Sequence, residues 1–155
     1  MSECVRLADQ IRRAFEGQAW HGDSLLDLLA EVKAKTAAAR PIKNAHSIWE
    51  LVLHIAAWDG AVIRRVRGRA AKLTARQNFP PVEDTSEAAW QETLAQLKAT
   101  HAELVNVVEN FPDSRLFEPV PGKKQKYYNF FYMFSGIVQH ELYHAGQIAL
   151  LKKFR

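Results

Sequence analysis

The chain has a single cysteine, Cys4, in 155 residues. That excludes an internal disulfide and fits a reducing compartment. No apolar run approaches the roughly 20 residues needed to cross a membrane. The opening MSECVRLADQ is polar and helix-periodic, unlike a secretion signal. A cytoplasmic protein with no membrane partner is therefore expected. Strand-type alternation does not recur, no internal repeat shows, and no segment is low in complexity. Strong charge of one sign is missing too. With 21 Lys and Arg against 17 Asp and Glu, the net charge is only +4. The densest basic groups, Arg64–Arg69 and Lys123–Lys126, match no recognition motif. They read as solvated helix ends or loops, so no nucleic-acid partner is expected.

What is present is helical periodicity. Leu7, Ile11, Ala14 and Phe15 mark a first amphipathic stretch over roughly 3–16. After the break at GQAWHG, the stretch 24–39 carries Leu25, Leu28, Leu29 and Val32 on one face, with Asp23 or Ser24 as cap. Pro41 marks a connector at 40–45. Ser47 and Glu50 form a capping box opening a helix that Gly68 stops. Its stripe is Ile48, Leu51, Ile55, Trp58 and Val62, with His54 on the same inward side. Residues 69–85 form a long linker in which Pro80 and Pro81 prevent helix continuation. Thr85 or Ser86 caps a third long helix, striped by Trp90, Leu94, Leu97, His101, Leu104, Val108 and Phe111 and ended by Pro112. A second irregular segment, 112–126, leads into a final helix over 127–153. The stretches 3–16 and 24–39 together read as one broken helix or a helix pair. Counted so, four long amphipathic units with two elaborate connections predict an all-α four-helix bundle in one domain spanning 1–155.

The final helix carries the chemistry. Phe130, Met133, Ile137, His140, His144, Ile148 and Leu151 repeat at intervals of three and four, the pattern of a buried stripe. His140 and His144 therefore stack on one inward face. Two neutral imidazoles buried together leave ring nitrogens unpartnered, at about 1–3 kcal/mol each. A divalent ion removes that cost, since His nitrogens at i and i+4 can converge on it. The alternative is a pair of core histidines, each hydrogen-bonded to a neighbour. No His, Asp or Glu follows His144, so a third ligand is expected from earlier in the chain. His54 is the best candidate and His101 the reserve, whereas His46 belongs to a cap region or surface and His21 to a turn. Three histidines leave positions open, the arrangement of a catalytic rather than a closed structural site.

The pentad also reads HELYH, a match to the zincin metalloprotease motif, which would make Glu141 a general base on metal-bound water. Its context is poor, and a solvated or interhelical salt-bridging role suits Glu141 better. Tyr143 and Trp58 read as core packing that can line a pocket. Phe79 and Tyr127 are candidate wall residues.

HSIWELVLHIAAWDGAVIRRVRG at 46–68 and QHELYHAGQIALLKK at 139–153 together resemble the DinB/YfiT-like superfamily. Trp49, Trp58, the Phe79-Pro80 loop and the terminal HAGQI add to the likeness, which covers essentially the whole chain. The resemblance implies a divalent metal, zinc or nickel, held by His54, His140 and His144, and often a homodimer. It also implies a small-molecule substrate. Relatives include transferases and isomerases that use a low-molecular-weight thiol such as bacillithiol or mycothiol, and hydrolases. The alternatives are a non-catalytic metal-binding or interaction bundle and, more remotely, the protease.

Overall fold

A computed structural model describes residues 1–154, and every regular element among them is helical. The order is α1 (Glu3–Glu16), α2 (Leu25–Leu29), α3 (Ala34–Ala38), α4 (Ile48–Val66), α5 (Ala75–Asn78), α6 (Glu87–Glu109), a 3-10 turn at Asp113–Arg115, and α7 (Phe130–Leu151). The expected bundle is formed by α1, α4, α6 and α7. Helix α6 packs on both α1 and α4, and α7 packs on the same two. The order around the bundle is thus α1, α6, α4, α7, with α1 opposite α4 and α6 opposite α7. The chain must cross the bundle between α1 and α4, and again between α6 and α7. Those crossings are the reason two connections are long.

Local chemistry sets the helix ends. Ser47 Oγ accepts from the Glu50 N–H at 3.2 Å, and the Glu50 carboxylate accepts from the Ser47 N–H at 2.7 Å. This is the reciprocal box read from the sequence, worth about 1 kcal/mol. Gly68 sits at φ 82°, where a glycine closes the end of α4 without steric cost. Ser86 caps α6, accepting from the Ala89 N–H. Asn129 caps α7, so Tyr127 to Asn129 lie outside the final helix that was expected to start at 127.

The stretch 24–39, read as one helix, is two short ones. Three side chains from elsewhere satisfy backbone groups around the break. Trp90 Nε1–H donates to Val32 O at 2.7 Å, Ala34 N–H donates to Glu87, and Lys152 Nζ donates to Leu28 O. Tertiary partners replace the helical ladder and so override local propensity. The linker 69–85 likewise contains α5, opened by a Thr74–Gln77 capping box. The long, Pro-bounded segment hid that single turn.

Two apolar clusters fill the bundle. One gathers Trp49, Ile55, Trp90, Leu97 and Ile148 with α2 and α3. The other gathers Ile11, Val62, Leu104, Phe130, Phe134 and Ile137. On α4, α6 and α7 the residues between these two sets include Asp59, His101 and Glu141, all buried. A polar layer therefore separates the two halves of the core. Among the described residues no helix is long and apolar enough to cross a membrane.

Candidate metal centre

Adjacent packing of α4 and α7 brings His54 together with His140 and His144, which sit one turn apart on α7. His140 Nε2 lies 3.0 Å from His54 Nε2 and 3.2 Å from His144 Nε2. One donor atom from each of the three falls within 4.8 Å of the others, a set able to hold a metal ion.

The outer ring nitrogens decide which way the lone pairs point. His54 Nδ1 lies 2.6 Å from the Asn78 carbonyl oxygen. A carbonyl only accepts, so Nδ1 carries the proton and Nε2 of the neutral ring is left with its lone pair. His144 Nδ1 is paired in the same way with Gln147 Oε1 at 2.6 Å. His140 Nδ1 is buried without a partner. With Nδ1–H on His54 and His144, two bare Nε2 atoms face His140. One Nε2–H on His140 can satisfy only one of them well. An ion accepts all three lone pairs at once, so the donor set fits a divalent metal.

Electrostatics agree. Burial, reinforced by the charges of the other two rings, pushes His140 down to about 3. Burial also lowers His54 and His144, although the bonds to Asn78 and Gln147 work against it. All three rings are therefore neutral at pH 7, the form that ligates metal.

The surroundings are built by α5. Its last residue, Asn78, supplies the carbonyl that orients His54, and its side-chain oxygen accepts from Trp58 Nε1–H at 2.8 Å. Phe79 stacks on His54 with ring centroids 4.1 Å apart, and on its other face against His46 at 3.8 Å. On the opposite side His140 opens into space. It lines a cavity of about 670 Å³ with Tyr127, Tyr132 and Tyr143, and a second of about 210 Å³ with Trp58, Arg65 and Tyr128. Tyr143 is exposed on this rim and does not pack in the core. Phe79 thus covers the His54 ring but, contrary to expectation, lines neither cavity that His140 lines, whereas Tyr127 lines one.

Other candidates fall elsewhere. His101, the reserve ligand, is buried on α6, stacked on Phe15 at 3.7 Å, with Nδ1 3.3 Å from Asp59 Oδ2. It is a core histidine with a carboxylate partner. Glu141 is not solvated: it is 1% exposed, and neither carboxylate oxygen has a hydrogen bond. Its nearest basic atom is His101 Nδ1 at 4.0 Å. Burial, then the Asp59 charge, raises its pKa well above the usual carboxylate range. The sequence marked only the His face of α7 as buried, but a helix packed between α1 and α4 buries more than one stripe. Glu141 lines neither cavity that His140 lines, which separates it from the role HELYH suggests. His46 is exposed but closer to the centre than expected, through Phe79. His21 is exposed in its turn. Cys4 is buried, and burial with the neighbouring Asp113 carboxylate pushes its thiol up to about 12, far from a reactive thiolate.

Asn78 and Gln147 were missed from the sequence. Gln147 was within reach, since it lies three residues after His144 on the same helix face. Asn78 acts through a backbone carbonyl, which no residue type announces.

No curated protein and no solved structure matches the chain. A family model described as the DinB superfamily matches residues 19–148, the span that contains all three clustered histidines and both residues that orient them. The chain belongs to the DinB superfamily.

Proposed function

We infer that His54, His140 and His144 hold one divalent ion through their Nε2 atoms, and that the protein is a metal-dependent enzyme acting on a small molecule. The observation that carries this reading is the convergence of three neutral imidazole nitrogens whose outer protons are directed away from the centre. When bound, the ion supplies acidification of a coordinated thiol or water. Zinc or nickel suits an all-imidazole set. The residues of the chain do the rest. Asn78 and Gln147 fix two rings in the ligating tautomer. Phe79 covers the His54 ring and keeps water off that side. Trp58 and Tyr132 border the open side, where a substrate approaches His140.

A thiol-dependent transfer is preferred to proteolysis because Glu141, the base a zincin needs, faces His101 and Asp59. The test is cobalt substitution. One equivalent should bind, and its visible spectrum should change when a small thiol is added. A spectrum indifferent to thiols, azide and imidazole alike would describe an enclosed structural ion and end the enzyme reading.

A further inference from the structure

The two basic groups that the sequence keeps apart, 64–69 and 123–126, meet in the fold. Gly122 lies at φ 81°, and a Cβ placed on it would stand 2.9 Å from the Ala70 Cβ. Only glycine lets the two connections pack this closely. The contact sets Lys123 beside Arg65.

Arg65 is 2% exposed, yet no carboxylate among the described residues pairs with it. Its Nε and Nη2 donate to Ala71 O at 3.2 and 2.7 Å, and Nη1 donates to Tyr128 OH at 3.4 Å. Those bonds use three of the five guanidinium N–H groups. The Trp58 ring lies under the cation at 5.5 Å. A buried charge ordinarily has a counter-ion, because desolvation without one is costly. Here the partners are neutral. Lys123 adds a second cation, 4.5 Å from the Tyr128 ring, and its pKa is lowered by burial and by the Arg65 charge. A cavity of about 400 Å³ between Arg65, Lys123 and Lys72 has no Asp or Glu in its lining. The adjoining cavity of about 210 Å³ is lined by Arg65 and His140 together, with Trp58 shared by both.

We propose that Arg65 and Lys123 bind the anionic group, a carboxylate or a phosphate, of a small molecule whose other end reaches His140. A planar guanidinium with free N–H groups receives either anion. The substrate class is therefore a compound carrying an acid at one end and the reacting atom at the other. Its second half rests on the metal reading above; the first half does not.

The experiment separates the two halves. Metal-free protein is titrated with acetate and with inorganic phosphate while the Arg65 Nε–H and Trp58 indole N–H resonances are followed. Both signals should move saturably, and the tighter-binding anion identifies the acid group. Lys123→Ala, a change at a half-buried position, should weaken binding by about threefold or more. Arg65→Gln, if circular dichroism shows it folded, should abolish it. Gly122→Ala should weaken it as Lys123 is displaced. Cobalt-loaded protein is then titrated with ω-mercaptoalkanoates and the matching mercaptoalcohols. One acid in the series should bind about tenfold tighter than its alcohol, a preference that Lys123→Ala reduces. Unmoved Arg65 and Trp58 signals, or a response indifferent to Lys123→Ala, would overturn the anion site itself. An anion response without any cobalt response to thiols would leave the anion site standing and sink the reading of the ion as a thiol-binding catalytic centre.

Discussion

Two histidine-containing clusters draw on α4 and α7, the second with its histidine supplied by α6, and their chemistry is opposite. In one, His54, His140 and His144 present neutral nitrogens to one another beside open cavities. In the other, His101 meets Asp59 and Glu141 in a sealed layer. The first contains donors with no acceptor, and the second contains acids with a single base. The first is able to hold a metal ion, while the second is enclosed in the core. A buried histidine is thus informative only through what faces it. His101 and His54 occupy equally inward positions on their helices, and the sequence alone ranks them by helix order and family likeness.

The largest expected difference between the clusters is in metal content. His140→Ala removes the ring that both others face, and should lower metal affinity by about a hundredfold or more, read as loss of the ion after gel filtration. His101→Ala should leave metal stoichiometry at wild type. If His101→Ala loses the ion as well, the two clusters are one site and the distinction fails.

Stability should invert that ranking. His101→Ala leaves buried Asp59 Oδ2 without its hydrogen-bond partner and opens space beside Phe15, so urea denaturation should show a loss of about 3 kcal/mol. The metal-free His140→Ala protein should lose less, because the ring is only half-buried, its Nδ1 has no partner, and its Nε2 forfeits one good hydrogen bond between neutral rings.

The clusters should also titrate with opposite sign. The three metal-site rings have lowered values, with His140 near 3. The unfolded chain then binds more protons below the ordinary histidine range. Their contribution to metal-free stability is complete above about pH 6.5 and is lost as pH falls toward the folded values. Asp59 and Glu141 have raised values. Their contribution is complete below the ordinary carboxylate range, about pH 4, and is lost as pH rises toward the folded values. Thermal melts of metal-free protein from pH 4 to 8 should show a steeper alkaline loss in wild type than in Glu141→Gln. An unchanged profile would mean that Glu141 is ionised in its layer at every pH tested.

Subtler effects fall on the residues that orient rather than ligate. Gln147→Ala should cost about tenfold in metal affinity, with the fold intact by circular dichroism. Glu141→Gln should leave thiol-transfer activity within about one order of magnitude, because no proton transfer is assigned to it. Cleavage of casein by wild type and not by Glu141→Gln would restore the protease reading.

Periodicity determined the four long helices and the inward face bearing His140 and His144, and residue type at the helix ends determined the capping box at Ser47 and Glu50 and the stop at Gly68. These are local properties, set by 3.6-residue spacing and by hydrogen bonds within a turn. The break between α2 and α3 was decided by Trp90, Glu87 and Lys152, partners more than fifty residues away. The sealed layer around Glu141 depended on which second face of α7 turned into the core between α1 and α4. The carbonyl of Asn78 and the meeting of Arg65 with Lys123 depended on how two long connections fold back across the bundle. A spacing rule describes one helix, whereas a hydrogen-bond partner or a missing counter-ion is a relation between segments, and only packing creates it.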